Sequence, residues 1–330
     1  MATNLRHAIG DSTATLLITL LALAAPSAAL AQNYPAKPVR LVLGFPPGGS
    51  VDVIARLLAP RLGENLGQQV IVNNRSGASG NIAAEFVMNS PPDGYTLMSV
   101  TVPYVVNPYL FSRVPYDART DFVPVSLLSS SPSLVVVHPS VPARSVRELL
   151  ALAKARPGAL NYSAAGAGTN PHIAGELFNL LGKVDIVAVQ FKGGGPADLA
   201  VIAGEVGISF PNISQAIGYV ASGRLRALAV TGAQRAAVLA DLPTVAEAGL
   251  PGYEFTTWHG ILAPKGTPRP IVMLLNEQIR KVLTTPEQTK LFADRGLAVI
   301  ASTPDAFAAH IDSELKKWSR VVKERRLKVD

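Results

Sequence analysis

Residues 45–52, FPPGGSVD, have the composition of a loop that can bind an anion. They follow a β-branched and apolar run at 39–44 and precede apolar residues at helical spacing, so a turn is expected between a buried strand and a helix. Two adjacent glycines let the backbone approach a ligand closely, and a helix start presents unpaired N–H groups at a positive dipole end. For one such loop taken alone, an ordinary strand-to-helix turn is the simpler explanation.

The same kind of turn occurs three more times along the chain. Small residues at 76–81, 163–169 and 192–196 each follow a strand-like run and precede a helical one. All four turns would lie at carboxyl ends of strands, which is the edge where open α/β sheets bind ligands. Two turns fall early and two fall mid-chain, so the pattern predicts two lobes that face each other across a cleft.

The composition limits the class of protein. A length of 330 residues, with 48% apolar and 16% charged residues, is typical of a globular chain of two domains. The net charge of +7 would help to attract anionic ligands, but basic and aromatic residues do not alternate as in nucleic-acid binding proteins. The absence of cysteine excludes disulfides, thiol catalysis and metal–thiolate sites.

Residues 1–31 are predicted to be a signal peptide. Arg6 supplies the positive region, 16–25 is an apolar core, and Ala29-Leu30-Ala31 is a cleavage motif before Gln32. The alternative is a retained membrane anchor, although the apolar core is short for a membrane span. No other long apolar stretch exists in the sequence, so we expect an exported protein without further membrane segments.

Strands and helices alternate along most of the chain, which predicts an α/β fold with helices covering mainly parallel sheets. Ser145 and Glu148 have the spacing of a capping box, as do Thr244 and Glu247 before a short predicted helix. The Pro- and Asn-rich segment 103–115 is predicted to be a loop, and residues after Pro304 an amphipathic helix. The predicted division is 32–132 plus 259–330 for lobe 1 and 133–258 for lobe 2.

At this point the chain resembles the substrate-binding proteins of tripartite tricarboxylate transporters, also called Bug receptors. The resemblance covers essentially the whole chain after residue 31. It rests on these segments in this order: YPAKP at 34–38, FPPGG at 45–49 with Asp52, NRSGASGN at 74–81, PDGYTL at 92–97, GAGT at 166–169 with His172, FKGG at 191–194, GRLRALAV at 223–230, LPTVAEAG at 242–249, Trp258, Gly260 and APKGTP at 263–268.

The resemblance implies a two-lobed periplasmic binding protein of type II, whose lobes close over the ligand like a Venus flytrap. Members take small carboxylates between the lobes, held in the first lobe by backbone N–H groups and ordered water. The expected role is to capture a small carboxylate for uptake through separate membrane permease subunits, and the protein is expected to be a monomer. The alternative is an orphan receptor that presents the carboxylate to a sensor protein.

The loops and the resemblance together give a set of candidate ligand-binding residues. One departure from the family pattern is Gly207, where members usually carry an acidic residue, so a ligand with an ammonium group is not expected. The candidates are Phe45, Pro47, Gly48, Gly49, Ser50, Ser76, Ala78, Ser79, Gly80, Thr101, Ser163, Gly166, Gly168, Thr169, His172, Phe191, Lys192, Gly193 and Asn212.

An enzyme is the main rival class. The segment GASGN at 77–81 resembles the G-x-S-x-G motif of a nucleophile elbow but ends at Asn81. The histidines show no metal-ligand spacing with each other or with carboxylates. The segment GAG at 166–168 lacks the last glycine of a dinucleotide-binding fingerprint. We therefore expect no catalytic residue, no metal and no cofactor.

Overall fold

The structure is a computed structural model that describes residues 34–325. The predicted signal peptide at 1–31, its cleavage site after Ala31 and the last basic residues of the chain lie outside the described residues. Within residues 34–325 no helix is both long enough and apolar enough to cross a membrane.

Six strands form the first sheet, in the order β11-β4-β10-β3-β1-β2. The pairs β1–β2 and β1–β3 are parallel, whereas β10 runs antiparallel to β3 and β4, and β11 antiparallel to β4. The strands are β1 (Val39–Leu43), β2 (Val70–Asn74), β3 (Thr96–Thr101), β4 (Phe122–Pro132), β10 (Thr256–Pro264) and β11 (Ala298–Val299).

Helices before and after these strands in the chain cover this sheet. The first of them ends at Gly67, whose left-handed φ of 67° suits a residue without a Cβ. The helices are α1 (Ser50–Leu66), α2 (Asn81–Met88), α3 (Pro103–Leu110), α8 (Arg269–Leu283), α9 (Pro286–Ala293) and α10 (Pro304–Arg325).

Five strands form the second sheet, in the order β7-β6-β8-β5-β9. Strand β6 is parallel to β7 and β8, and β5 is antiparallel to β8 and β9. The elements are β5 (Leu134–Val137), α4 (Val146–Ala155), β6 (Asn161–Ala164), α5 (Asn170–Gly182), β7 (Val187–Gln190), α6 (Gly194–Ile202), β8 (Ile208–Ser209), α7 (Ile213–Ala221) and β9 (Arg226–Val230).

The C-terminal helix α10 packs its predicted apolar face against the first sheet. Phe307, Ile311 and Trp318 on this face are all at most 3% exposed. The indole N–H groups of Trp258 in β10 and Trp318 both donate to Glu314 Oε2 at 3.0 Å, so the buried carboxylate has two partners. The predicted amphipathic helix is therefore confirmed.

The α/β class is confirmed, and three local predictions need correction. Both sheets are mixed where mainly parallel sheets were expected, because β4, β5 and β10 run antiparallel to their neighbours. Residues 103–115 are not all loop: they include α3, whose first residue Pro103 sits where a helix needs no N–H donor. Thr244 and Glu247 exchange both hydrogen bonds of a capping box, at 2.9 and 3.1 Å, but only turns follow.

Candidate ligand-binding cleft

The four small-residue turns meet between the two sheets. Loop 45–50 precedes α1 and loop 76–80 precedes α2, while loops 165–169 and 191–193 precede α5 and α6 of the other sheet. A Cβ added to Gly193 would lie only 2.7 Å from Cγ of Pro46, and one added to Gly194 would lie 3.4 Å from the Cα of Gly49. The glycines therefore let the backbones of the two lobes come into direct contact.

Asp52 holds the first loop in place. Its Oδ2 accepts the Gly48 N–H at 3.1 Å and the Arg56 guanidinium at 2.9 Å, and its Oδ1 accepts from Asn74 Nδ2 at 3.1 Å. Burial alone would raise the pKa of this carboxyl, but these hydrogen bonds outweigh it and the pKa is lowered. Asp52 is therefore an anionic cap of the loop, and the Gly48 N–H is already used.

The second loop, 76–80, contains a left-handed turn in which the Gly80 N–H is bonded to the Gly77 carbonyl at 3.0 Å. Ala78 and Ser79 have φ values of 45° and 52°, which non-glycine residues adopt only where the surroundings hold them. The support comes from α3, where Asn107 Nδ2 donates to the Ser79 carbonyl at 3.1 Å and to Asn81 Oδ1 at 2.8 Å. Successive N–H groups in such a turn form a concave site for an anion.

The third loop caps α5 and touches the first lobe. Thr169 Oγ1 donates to the Gly166 carbonyl at 2.6 Å, and His172 Nδ1 accepts the Gly168 N–H at 3.2 Å. Burial lowers the pKa of His172, which suits a neutral imidazole acting as an acceptor. The Ser79 hydroxyl of the first lobe donates to the Ala167 carbonyl, so the two loops are linked across the cleft.

Two cavities lie along this contact. The outer cavity, of about 390 Å³, lies between loops 44–46, 76–79, 165–169 and 191–193. The inner cavity, of about 40 Å³, lies between the starts of α1 and α3 on one side and of α5, α6 and α7 on the other. Phe45, Ala165 and Thr169 line both cavities, so the two adjoin.

The structure brings together thirteen of the candidate residues as lining of one or both cavities. Those on the outer cavity are Phe45, Ser76, Ala78, Ser79, Gly166, Thr169, Phe191, Lys192 and Gly193. Those on the inner cavity are Phe45, Gly49, Ser50, Thr101, Thr169 and Asn212.

The other six candidates support the site without lining a cavity. Pro47 and Gly48 are exposed, Gly80 is buried beneath Phe45, and Gly168 packs on α3. Ser163 is fully buried in the sheet, where its hydroxyl donates to Ser209 Oγ at 2.9 Å. The sixth is His172, whose role as a cap of the third loop is described above.

Asp198 is one of three polar residues of the inner cavity, with Asn170 and Gln215, that are not among the candidates from the sequence. It lies in the first turns of α6, and its Oδ2 accepts from Gln215 Nε2 of α7 at 3.2 Å. Burial raises the pKa of the Asp198 carboxyl to about 7, although the hydrogen bond from Gln215 acts in the opposite direction. Neither Asp198 nor Gln215 belongs to a glycine-rich turn, so the sequence pattern that identified the loops does not identify these two residues.

The absence of an ammonium group from the ligand stays a prediction, but the position of Gly207 does not support it. Gly207 lies at the amino end of β8, where its N–H donates to Asn161 Oδ1 at 3.0 Å. The cavities lie beyond the carboxyl end of that strand, where Asn212 begins α7 five residues later, roughly 16 Å along an extended chain. An acidic residue at 207 would therefore not reach the inner cavity, whereas Asp198 lines it.

His259 lies close to the inner cavity and carries no charge. It is fully buried in β10, and its Nε2 is 3.2 Å from the hydroxyl of Ser50 at the start of α1. Burial lowers the pKa of His259 to about 3, so its imidazole is neutral at physiological pH. No lysine or arginine is among the described residues that line the inner cavity, and Lys192 lines the outer one.

Comparison with known proteins decides the family. Residues 54–327 match the family described as tripartite tricarboxylate transporter family receptor. The chain belongs to this family. The predicted resemblance to Bug receptors is therefore confirmed, and the family is one of substrate-binding receptors.

Solved structures of similar proteins confirm the two-lobed fold. Rpa4515 of R. palustris, solved with adipate, is 37% identical, with a TM-score of 0.86 over 88% of this chain and 98% of that chain. The periplasmic binding protein BugD is 30% identical, with a TM-score of 0.86 over 89% and 100%. MatC from Rhodopseudomonas palustris, with bound malate, is 32% identical, with a TM-score of 0.84 over 88% and 100%.

Proposed function

We propose that this protein is a periplasmic receptor that captures a small carboxylate in the outer and inner cavities, between its two lobes. Membrane permease subunits would then take up the carboxylate, as the family description implies. The observation that carries the proposal is the meeting of two glycine-rich turns at the adjoining cavities: residues 76–79 line the outer cavity, and Gly49 and Ser50 at the start of α1 line the inner one. The binding of adipate and malate by Rpa4515 and MatC supports the carboxylate class.

The outer cavity has the properties that a carboxylate site needs. Its volume of about 390 Å³ falls within the range of small-molecule pockets, about 300–1,000 Å³. Ala78 and Ser79 of the left-handed turn line it and can supply backbone N–H donors, and Lys192 supplies a positive charge. Such donors bind an anion without a buried arginine, and no reacting group is required. The role is therefore binding and not catalysis.

Calorimetric titration of a carboxylate library against the wild type and Gly49→Val tests the proposal. Gly49 has extended φ and ψ, and its added Cβ would meet nothing closer than 3.9 Å, so the fold should survive. The valine methyl groups would separate the ligand from the first turn of α1. Each charge-assisted hydrogen bond lost costs about 1.5–3 kcal/mol, so the loss of two should weaken binding more than a hundredfold.

Gly218→Val is the matched control, because Gly218 lies in α7 with nothing near its position for a Cβ. It should bind the ligand as the wild type does. Unchanged affinity in Gly49→Val would contradict a ligand-binding site that includes the start of α1, which lines the inner cavity. Uptake of the labelled ligand by cells that lack the protein measures the transport role, and undiminished uptake would contradict it.

A further inference from the structure

Two deeply buried side chains of the inner cavity each have a polar atom without a partner. Asn212 is 3% exposed and Asn170 is 8% exposed, yet Nδ2 of the first and Oδ1 of the second make no hydrogen bond. A buried polar group left unpaired costs about 1–3 kcal/mol, so native proteins satisfy such groups. Both residues line the inner cavity between the lobes, where a ligand group can supply the missing partners.

The orientation of Asn212 is set by the helix that it caps. Its Oδ1 accepts the Ser214 N–H at 3.1 Å and the Ser214 hydroxyl at 2.8 Å, so its Nδ2 is the donor left over. The nearby Asn170 donates its Nδ2 to Thr101 Oγ1 at 3.3 Å, which leaves its Oδ1 as an acceptor. Asp198 has one hydrogen bond from Gln215, and a carboxylate can accept several. The unpaired side-chain groups of the cavity are thus two acceptors and one donor, beside the backbone N–H groups of Gly49 and Ser50 at the start of α1.

The size of the inner cavity limits what can enter it. A volume of about 40 Å³ holds about three water-sized groups, at roughly 10–15 Å³ each. A primary carboxamide has three non-hydrogen atoms, two N–H donors and one carbonyl acceptor. These match the volume, the acceptors on Asp198 and Asn170, and the donor on Asn212.

We propose that the inner cavity is a subsite for a primary carboxamide at the far end of the ligand, with Asp198 as its specificity-determining residue. This inference rests on the proposed function, in which the outer cavity holds the carboxylate end. Since Phe45, Ala165 and Thr169 line both cavities, an unbranched ligand can extend from one to the other. The ligand class is therefore the monoamide of a small dicarboxylic acid.

The two charged alternatives match the inner cavity less well. A second carboxylate has only acceptors, so it would leave Asn170 Oδ1 unpaired and would repel Asp198 wherever that carboxyl is ionised. No lysine or arginine of the described cavity lining could balance its charge. An ammonium group has only donors, so Asn212 Nδ2 would stay unpaired beside a cation. The carboxamide alone pairs all three side chains and adds no charge.

Calorimetry with sets of four ligands of equal chain length tests the subsite. Each set contains a dicarboxylate, its monoamide, the ω-amino acid and the plain monocarboxylate. The sets cover chains of four, five and six carbons. We expect the monoamide to bind at least tenfold more tightly than the other three at the best chain length. Equal binding, or tighter binding of the dicarboxylate or the amino acid, overturns the proposal. If no ligand of the set binds at any length, the proposed function fails and the subsite fails with it.

Two variants separate the subsite from the carboxylate site. Asn212→Asp keeps an oxygen to cap α7 but replaces the free donor by an acceptor, so the preference for the monoamide should fall at least tenfold. Asp198→Ala should do the same. Asp241→Ala, at an exposed aspartate, is the matched control and should keep the preference. A monoamide preference that survives in Asp198→Ala or Asn212→Asp overturns the assignment.

Discussion

Closure of the lobes without ligand should depend on pH through Asp198. In the closed arrangement, burial raises the pKa of this carboxyl to about 7 from its ordinary value of 3.8. When the lobes separate, the carboxyl meets water and its pKa returns toward the ordinary value. The closed form then binds a proton more tightly than the open form. Closure is thus favoured at low pH and weakens as pH rises from about 4 toward 7.

The size of the effect follows from the two pKa values. One pKa unit corresponds to about 1.4 kcal/mol, so a shift of about three units limits the total effect to roughly 4 kcal/mol. Between pH 5 and pH 8 the linkage relation gives a change of roughly 2–3 kcal/mol, close to a hundredfold in the ratio of open to closed forms. His259 does not contribute in this range, because its pKa is about 3.

Small-angle scattering of the ligand-free protein measures this change as a larger radius of gyration at pH 8 than at pH 5. Asp198→Asn is the matched variant, because it keeps the size and the hydrogen-bonding capacity but cannot ionise. Its radius should stay small across the range. A wild-type radius that does not change, or an equal response in Asp198→Asn, would refute the role of Asp198.

Three further outcomes are expected. Ser79→Ala removes the hydroxyl that donates to Ala167 across the cleft, so ligand affinity measured by calorimetry should fall about two- to tenfold at an unchanged melting temperature. Asn107→Ala removes the support of the strained turn, and urea unfolding should show a loss of about 1–3 kcal/mol in the free energy of unfolding. Mass spectrometry of periplasmic protein should give Gln32 as its first residue, and a chain that starts earlier would contradict signal-peptide removal.

The loops of the cleft could be predicted from the sequence because the residues that determine their backbone conformation are neighbours in the chain. A turn with left-handed backbone between a strand and a helix needs glycine at defined positions, and the chain places Gly48, Gly77 and Gly166 there, with φ of 90°, 143° and 113°. The residues that cap a helix are also neighbours in the chain, and Ser145 caps α4 as predicted. These patterns require no knowledge of which residues meet in space.

The corrected predictions concern features that depend on distant parts of the chain. Helix α3 contains Pro103 and Pro108, which locally favour a loop, but its buried residues pack on the first sheet and its Asn107 holds the turn at 78–80. The position of Gly207 relative to the cleft depends on the direction in which β8 runs beside β6. Neither the packing partner nor the strand direction can be obtained from a few neighbouring residues.

Under the proposed function, the two cavities differ in which part of the chain recognises the ligand. In the outer cavity the donors of the first lobe are backbone N–H groups, which remain the same when side chains change. In the inner cavity the polar groups are side chains from the first turns of α5, α6 and α7, namely Asn170, Asp198 and Gln215, with Asn212 as the cap of α7. A change at any of these positions alters the hydrogen-bonding pattern without disturbing the loops. Ligand choice should therefore depend on the helix starts of the second lobe, while the glycine-rich turns keep the carboxylate end in place.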